Sequence, residues 1–246
     1  MTELDNGKSN SSPKFPPAGG YDNNVRFTVP NYDLFHAQTL RLVKAYFENS
    51  PETKNQKKEP VRWLDAGCGT GTLAQKIVEK YPETEIFLAD PSPEMIKMAQ
   101  QKLNEIGKTQ IQYLKTKSTQ ELDFPDNAFD VVTAVLSHHY LSEKDRKTAT
   151  ENCFRMLKPD GIYITFEHTA PVTETGKMLA QQMVADFQTE HGKSETDAEN
   201  YRQRYGTEYF PITAAQHIDL LKKAGFKTVE LFWYSYLDAG FYAVKE

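Results

Sequence analysis

An α/β fold built on a doubly wound, mostly parallel sheet is predicted by three features of this 246-residue sequence. A short apolar run, Val61 to Leu64, leads into Asp65 and then into glycines at 67, 69 and 71, directly ahead of the helical pattern Thr72 to Val78. Downstream, apolar runs of strand length alternate with amphipathic, capped helices, the pattern of strands joined by crossovers. The chain then closes on two strand-like segments joined by a short turn, which leaves the last strand antiparallel.

Taken in order, residues 1–20 are rich in Ser, Asn, Pro, Gly and Lys and are expected to form a disordered tail. An N-terminal cap is expected over 21–60. Its helix opens near Asn31, carries an apolar face of Leu34, Phe35, Leu42, Val43, Tyr46 and Phe47, and stops at Ser50-Pro51 before a polar, Lys-rich linker. The main domain is expected over 61–246. Its second strand is Glu85 to Asp90, and Ser92-Pro93 caps and opens the next helix, with Met95, Met98, Ala99, Leu103 and Ile106 inward. Ile111 to Leu114 is the third strand and Phe129 to Leu136 the fourth. Ser142-x-x-Asp145 caps a helix running to about Leu157, which Lys158-Pro159-Asp160-Gly161 ends; Ile162 to Phe166 follows as the fifth strand. Thr213-x-x-Gln216 caps a helix that stops at Gly225, and Thr228 to Tyr236 and Gly240 to Val244 close the chain. Between the fifth strand and that last helix, about 171–211, lies an insertion with two helices. Met178, Leu179, Met183, Val184 and Phe187 mark one side of the first, and Ser194-x-x-Asp197 caps the second, which carries Tyr201 and Tyr205. An insertion of that length at the ligand-facing end of a sheet reads as a lid.

Composition narrows the function. With 29 Lys and Arg against 34 Asp and Glu, the net charge of −5 gives no basic field for nucleic acid or an anionic membrane. No apolar stretch approaches a membrane span and no signal-peptide core is visible, so a cytoplasmic protein is expected. Cys68 and Cys153 read as buried fillers, and no Cys/His spacing indicates a metal site.

Strand, glycine turn and helix together open a nucleotide site in α/β sheets. The spacing departs from G-x-G-x-x-G: position 72, where its last glycine would fall, is Thr. The stretch Leu64-Asp65-Ala66-Gly67-Cys68-Gly69-Thr70-Gly71 instead resembles the first motif of the class I S-adenosylmethionine-dependent methyltransferases. That resemblance covers most of Tyr21 to Glu246 and implies a seven-stranded sheet with an antiparallel last strand. It implies S-adenosylmethionine as cofactor, S-adenosylhomocysteine as product, and a small-molecule acceptor reached by in-line displacement.

The cofactor residues it implies are Asp65, Gly67, Cys68 and Gly69 in the loop, Asp90 on the ribose 19 residues after Gly71, and Met95 against the adenine. After the third strand the family commonly has an acidic residue; here Ser118 and Thr119 stand in its place, a neutral and weaker acceptor. Backbone at Val135 would approach the methyl group. A narrower likeness, a Tyr-Asp…Arg…Pro-x-Tyr leader folding over the cofactor, adds Tyr21, Arg26 and Tyr32. Candidate catalytic groups are His138, ahead of its neighbour His139, and the pair Glu167 and His168. Met178, Met183, Phe187, Tyr201 and Tyr205 would wall the acceptor. A monomer or homodimer is expected. Two alternatives fit the same motif: a cofactor-modifying enzyme of the carboxy-S-adenosylmethionine synthase type, whose leader Val29-Pro30-Asn31-Tyr32 resembles, and a non-catalytic cofactor-binding regulator.

Overall fold

Near-continuous burial along the apolar runs builds one sheet with a core on each face. The computed structural model describes residues 20–49, 60–105 and 111–246; the expected tail, the linker and Ile106 fall outside them, except for Gly20 and Pro60. The strands are β1 (Arg62–Ala66), β2 (Glu85–Asp90), β3 (Ile111–Thr116), β4 (Phe129–Val135), β5 (Leu157–His168), β6 (Thr228–Ser235) and β7 (Asp238–Val244). Their order is β3-β2-β1-β4-β5-β7-β6, with β7 antiparallel to both its neighbours. The mostly parallel sheet and its antiparallel last strand are as the sequence implied. β1 pairs with β2 on one side and β4 on the other, so the strand order reverses there, where a crevice opens at the carboxyl ends.

The helices are α1 (Tyr21–Asn24), α2 (Tyr32–Asn49), α3 (Thr72–Lys80), α4 (Pro93–Glu105), α5 (Glu143–Met156), α6 (Glu174–Glu190), α7 (Glu195–Gln203) and α8 (Ala214–Ala224). Alternation sends Trp63, Ile86, Val131 and Phe166 to one face, where Phe35 and Val43 of α2 and Ile77 of α3 cover them. Leu64, Phe87, Val132 and Tyr163 go to the other, against Cys153 and Met156 of α5 and Leu221 of α8. Phe35 locks α2 down: its ring stacks on Phe166 at 5.1 Å and meets Trp233 edge-on at 5.0 Å.

Several local expectations are corrected. Leu34 lies on the outer side of α2, exposed. Lys158 to Gly161 does not separate helix from strand. β5 already begins at Leu157, and a register shift against β4 absorbs the turn residues, with Asp160 at φ +59. The closing hairpin is tighter than read, since β7 starts at Asp238 and only Tyr236 and Leu237 turn the chain, Tyr236 at φ +55. In the insertion, Ser194 and Asp197 do cap α7, but the helix ends at Gln203, so Tyr205 lies in the following turn. Met178, Leu179 and Met183 face outward on α6, whose buried side carries Val184 and Gln188 one turn apart.

Candidate functional site

Three backbone features form the crevice. Gly67 and Cys68 both donate their amides to the Ala89 carbonyl, at 2.7 and 3.0 Å, which folds the loop after β1 over the end of β2. Gly67 has φ +85, and a Cβ there would overlap the Ser137 side chain, so no other residue fits. Gly69, at φ +53, faces open space instead, leaving its backbone accessible. Asp90, at the end of β2, accepts from the Gly69 amide and the Ser92 amide, each at 2.9 Å. One carboxylate thereby sets both the loop and the entry to α4. Burial pushes its acid strength down despite these two bonds. Asp65 is fully enclosed; burial raises its carboxyl to about 7, while the Thr133 hydroxyl at 2.8 Å pulls the other way.

These groups border one pocket. Of the twelve expected cofactor residues, eleven line it: Tyr21, Tyr32, Asp65, Gly67, Cys68, Gly69, Asp90, Met95, Ser118, Thr119 and Val135. The twelfth, Arg26, does not. Its guanidinium turns to the surface, paired with Asp33 at 2.9 Å and donating to the Asp22 carbonyl. The group that reaches back is Asp22, which accepts from Lys102 at 2.7 Å and from the Thr70 hydroxyl at 2.6 Å. Burial acts to raise the Asp22 carboxyl, yet these donors outweigh it and hold it below the ordinary range. The leader is thus latched across the start of α3. Ser118 spends its hydroxyl locally, donating to Gln120 while capping a short turn with Glu121.

Reading the sequence missed His36, Thr70, Thr72, Leu73, Pro91 and Leu141 as lining residues. His36 carried a signal, standing one helical turn after Tyr32; its ring lies 5.1 Å from that tyrosine, and burial lowers its pKa to about 3. At the far wall, β4 ends in Leu136 at φ +51, held by its amide's bond to the Phe166 carbonyl. A branched side chain there costs about 1–3 kcal/mol of strain, which concentrates at sites where function needs it. His138 lines this wall, kept neutral by burial at about 4 and set 3.3 Å from the Tyr163 hydroxyl.

The Glu167 and His168 side chains do not act on each other. Strand alternation sends Glu167 into a buried chamber with Arg146 and His217, where it accepts from His139 Nδ1 at 2.9 Å, the His139 amide at 2.8 Å and the Thr165 hydroxyl at 2.8 Å. His168 faces a second cavity under the insertion, with Tyr201 and Tyr205. Met178 and Met183 are more than half exposed, and Phe187 stacks on His191 at 4.0 Å outside either cavity. Among the described residues no three His, Cys, Asp or Glu side chains are grouped as for a metal, and no helix is long and apolar enough to cross a membrane.

Known proteins resemble this chain in sequence and in fold. A sequence model of the methyltransferase domain matches residues 64–161, from β1 into β5. The ubiquinone/menaquinone biosynthesis C-methyltransferase UbiE of Salmonella paratyphi B is 30% identical over 190 residues, covering 74% of this chain and 71% of the relative. A SAM-dependent methyltransferase from Aquifex aeolicus has the same fold, with a TM-score of 0.61 and 17% identity over 95% of this chain and 100% of that one. The CurJ carbon methyltransferase gives 0.66 and 18%, over 93% and 59%. With a glycine loop open at Gly69, a carboxylate at the end of β2 and a relative of this identity and coverage, the chain belongs to the class I S-adenosylmethionine-dependent methyltransferases.

Proposed function

We propose that this enzyme methylates a small, hydroxylated ring compound, at carbon or oxygen, with the acceptor seated beneath α6 and α7. The observation that carries the reading is the single cavity joining the glycine loop, Asp90 and the end of β4. It is supported by the tyrosine-lined space under the insertion and by the name of the 30%-identical relative, a C-methyltransferase of quinone biosynthesis.

S-adenosylmethionine supplies an already activated methyl group on a positive sulfur. The open backbone at Gly69 would hold its amino-acid part, with Asp65 on the ammonium through water. Asp90 would take the ribose hydroxyls, and Met95 and Thr119 would border the adenine. Val135 and Leu136 would set the reacting end, and the strained Leu136 fixes that backbone in one conformation. Tyr21 and Tyr32, brought over by the Asp22 latch, exclude water. His138, neutral and inaccessible to protonation near pH 7, shapes the wall without adding a second positive charge. Alignment of this kind is worth about 7–11 kcal/mol. The test is incubation with S-adenosylmethionine and 1,4-naphthohydroquinone, followed by mass spectrometry. A product heavier by one methylene, together with S-adenosylhomocysteine, is expected. Absence of both with this and other dihydroxy aromatic rings would sink the acceptor class.

A further inference from the structure

A second, narrow pocket lies between Pro30, Val184, Leu237 and the rings of Tyr201, Tyr205 and Tyr209. It adjoins the cofactor pocket: Tyr140 lines the pocket, and its ring lies 6.5 Å from that of Tyr209. The leader spans both, with Pro30 on one and Tyr32 on the other.

One wall holds a chain of three polar groups assembled from distant segments. The antiparallel pairing of β5 with β7 sets Asp238 directly opposite His168. The Asp238 carboxylate, 1% exposed, is hydrogen-bonded to His168 Nδ1. His168 Nε2 meets the Tyr201 hydroxyl at 2.8 Å. With Asp238 ionised, Nδ1 carries the ring proton and Nε2 accepts from Tyr201, so the lone pairs of the phenol oxygen remain for a ligand. We propose that this cavity seats the acceptor's hydroxylated ring and that Tyr201, His168 and Asp238 relay its proton away. The proposal rests on the methyl-transfer reading and adds the group that activates the acceptor.

The step balances without any outside reagent. The acceptor's O–H bond breaks as Tyr201 oxygen takes the proton, and Tyr201's own proton passes to His168 Nε2. His168 becomes an imidazolium beside the Asp238 carboxylate. The acceptor is left as a phenolate hydrogen-bonded to the restored Tyr201 hydroxyl, with electron density raised on its oxygen and ring carbons. This is the logic of a nucleophile–histidine–carboxylate triad, with the tyrosine as the first proton carrier.

The surroundings favour it. Burial holds Tyr201 well above its ordinary range, so it rests as the neutral phenol that the relay needs. His139, whose ring is 4.5 Å from His168, is kept neutral by burial and places no competing cation there. The Arg204 guanidinium lies 5.7 Å over both the Tyr201 and Tyr209 rings, lending positive potential to a phenolate. Arg204 is itself held by Glu208 at 2.7 Å, and Glu167 is occupied by His139, so neither carboxylate is free to take the proton. A neutral ring with one acidic hydroxyl fits this lining.

The probe is 4-nitrophenol, whose absorption shifts when it ionises. It is titrated into the protein saturated with S-adenosylhomocysteine, at a pH below its own midpoint in water. The wild type is expected to bind it as the phenolate. Tyr201→Phe and Asp238→Asn are expected to bind it within about tenfold, the loss of one hydrogen bond, with the spectrum of the neutral phenol and with unchanged affinity for S-adenosylhomocysteine. A wild type that binds the probe only as the neutral form, or not at all, would overturn the proposal, as would two variants that ionise it as fully as the wild type does. Failure of S-adenosylhomocysteine itself to bind would instead strike the methyl-transfer reading.

Discussion

On the parallel side of the sheet, β1, β2 and β4 present mostly backbone to the cavity: the loop from Gly67 to Thr70, the amides that Asp90 holds, and the strained turn at Leu136. On the antiparallel side, β5 and β7 present side chains, His168 and Asp238, completed by Tyr201 from the insertion. The first arrangement fits a ligand whose shape is constant, because backbone positions tolerate little change. The second places its polar groups on side chains instead. One edge of a single sheet thus carries a pocket built of backbone, the proposed cofactor site, beside one built of side chains.

The comparison breaks most sharply at Gly67. Gly67→Ala forces a Cβ into Ser137 at positive φ, and we expect calorimetry to show cofactor affinity reduced by about 100-fold or more. Near-normal binding would mean that the loop is not the rigid half. Glu167→Leu tests the scaffold between the halves. It strips the acceptor from two amides and from His139, so urea unfolding should show a loss of about 3–5 kcal/mol, while S-adenosylhomocysteine binding to the folded fraction survives.

A smaller effect concerns charge. Because burial sets Asp65 near 7, a cationic ligand should favour its ionised form and release a proton on binding. Affinity for S-adenosylmethionine should therefore rise as pH increases through about 7 and flatten above it, and should flatten throughout in Asp65→Asn. A wild-type profile without slope in that window would remove Asp65 from the cofactor's field. The mildest case is Lys102→Met, which loosens the Asp22 latch. We expect about 1 kcal/mol, read by stopped-flow as cofactor release several-fold faster with little change in fold stability. Since the Asp22 carboxyl is held low, its contribution to closing the leader is complete near neutrality and is lost only as pH falls below the ordinary carboxylate range.

The same division decided what could be read from residues alone. Glycines 67 and 69, Asp65 and Asp90 lie in or just after two adjacent strands, so local spacing was enough to bring them to one crevice. Cap residues likewise announced α5, α7 and α8. His168, Tyr201 and Asp238 share no local pattern, and only the pairing register of an antiparallel strand and the docking of α7 join them. Glu167 and His168 looked like a pair because they are neighbours in sequence; the alternation of a strand separates them. Arg26 looked like a ligand group, whereas its helix placed it beside Asp33 and left the inward reach to Asp22. The outward methionines of α6 failed for a related reason. That helix has apolar residues on both sides, and the buried one was decided by Val184 and Gln188, whose amide donates to the Thr28 carbonyl of the leader.

The most direct test of the account is calorimetric titration of S-adenosylmethionine and S-adenosylhomocysteine into the wild type and Asp90→Ala. Asp90 joins the end of β2 to the Gly69 amide and to the entry of α4. Both ligands are expected to bind the wild type in the micromolar range and to show no measurable binding to the variant. Equal binding by the two proteins, or no binding by either, would contradict it.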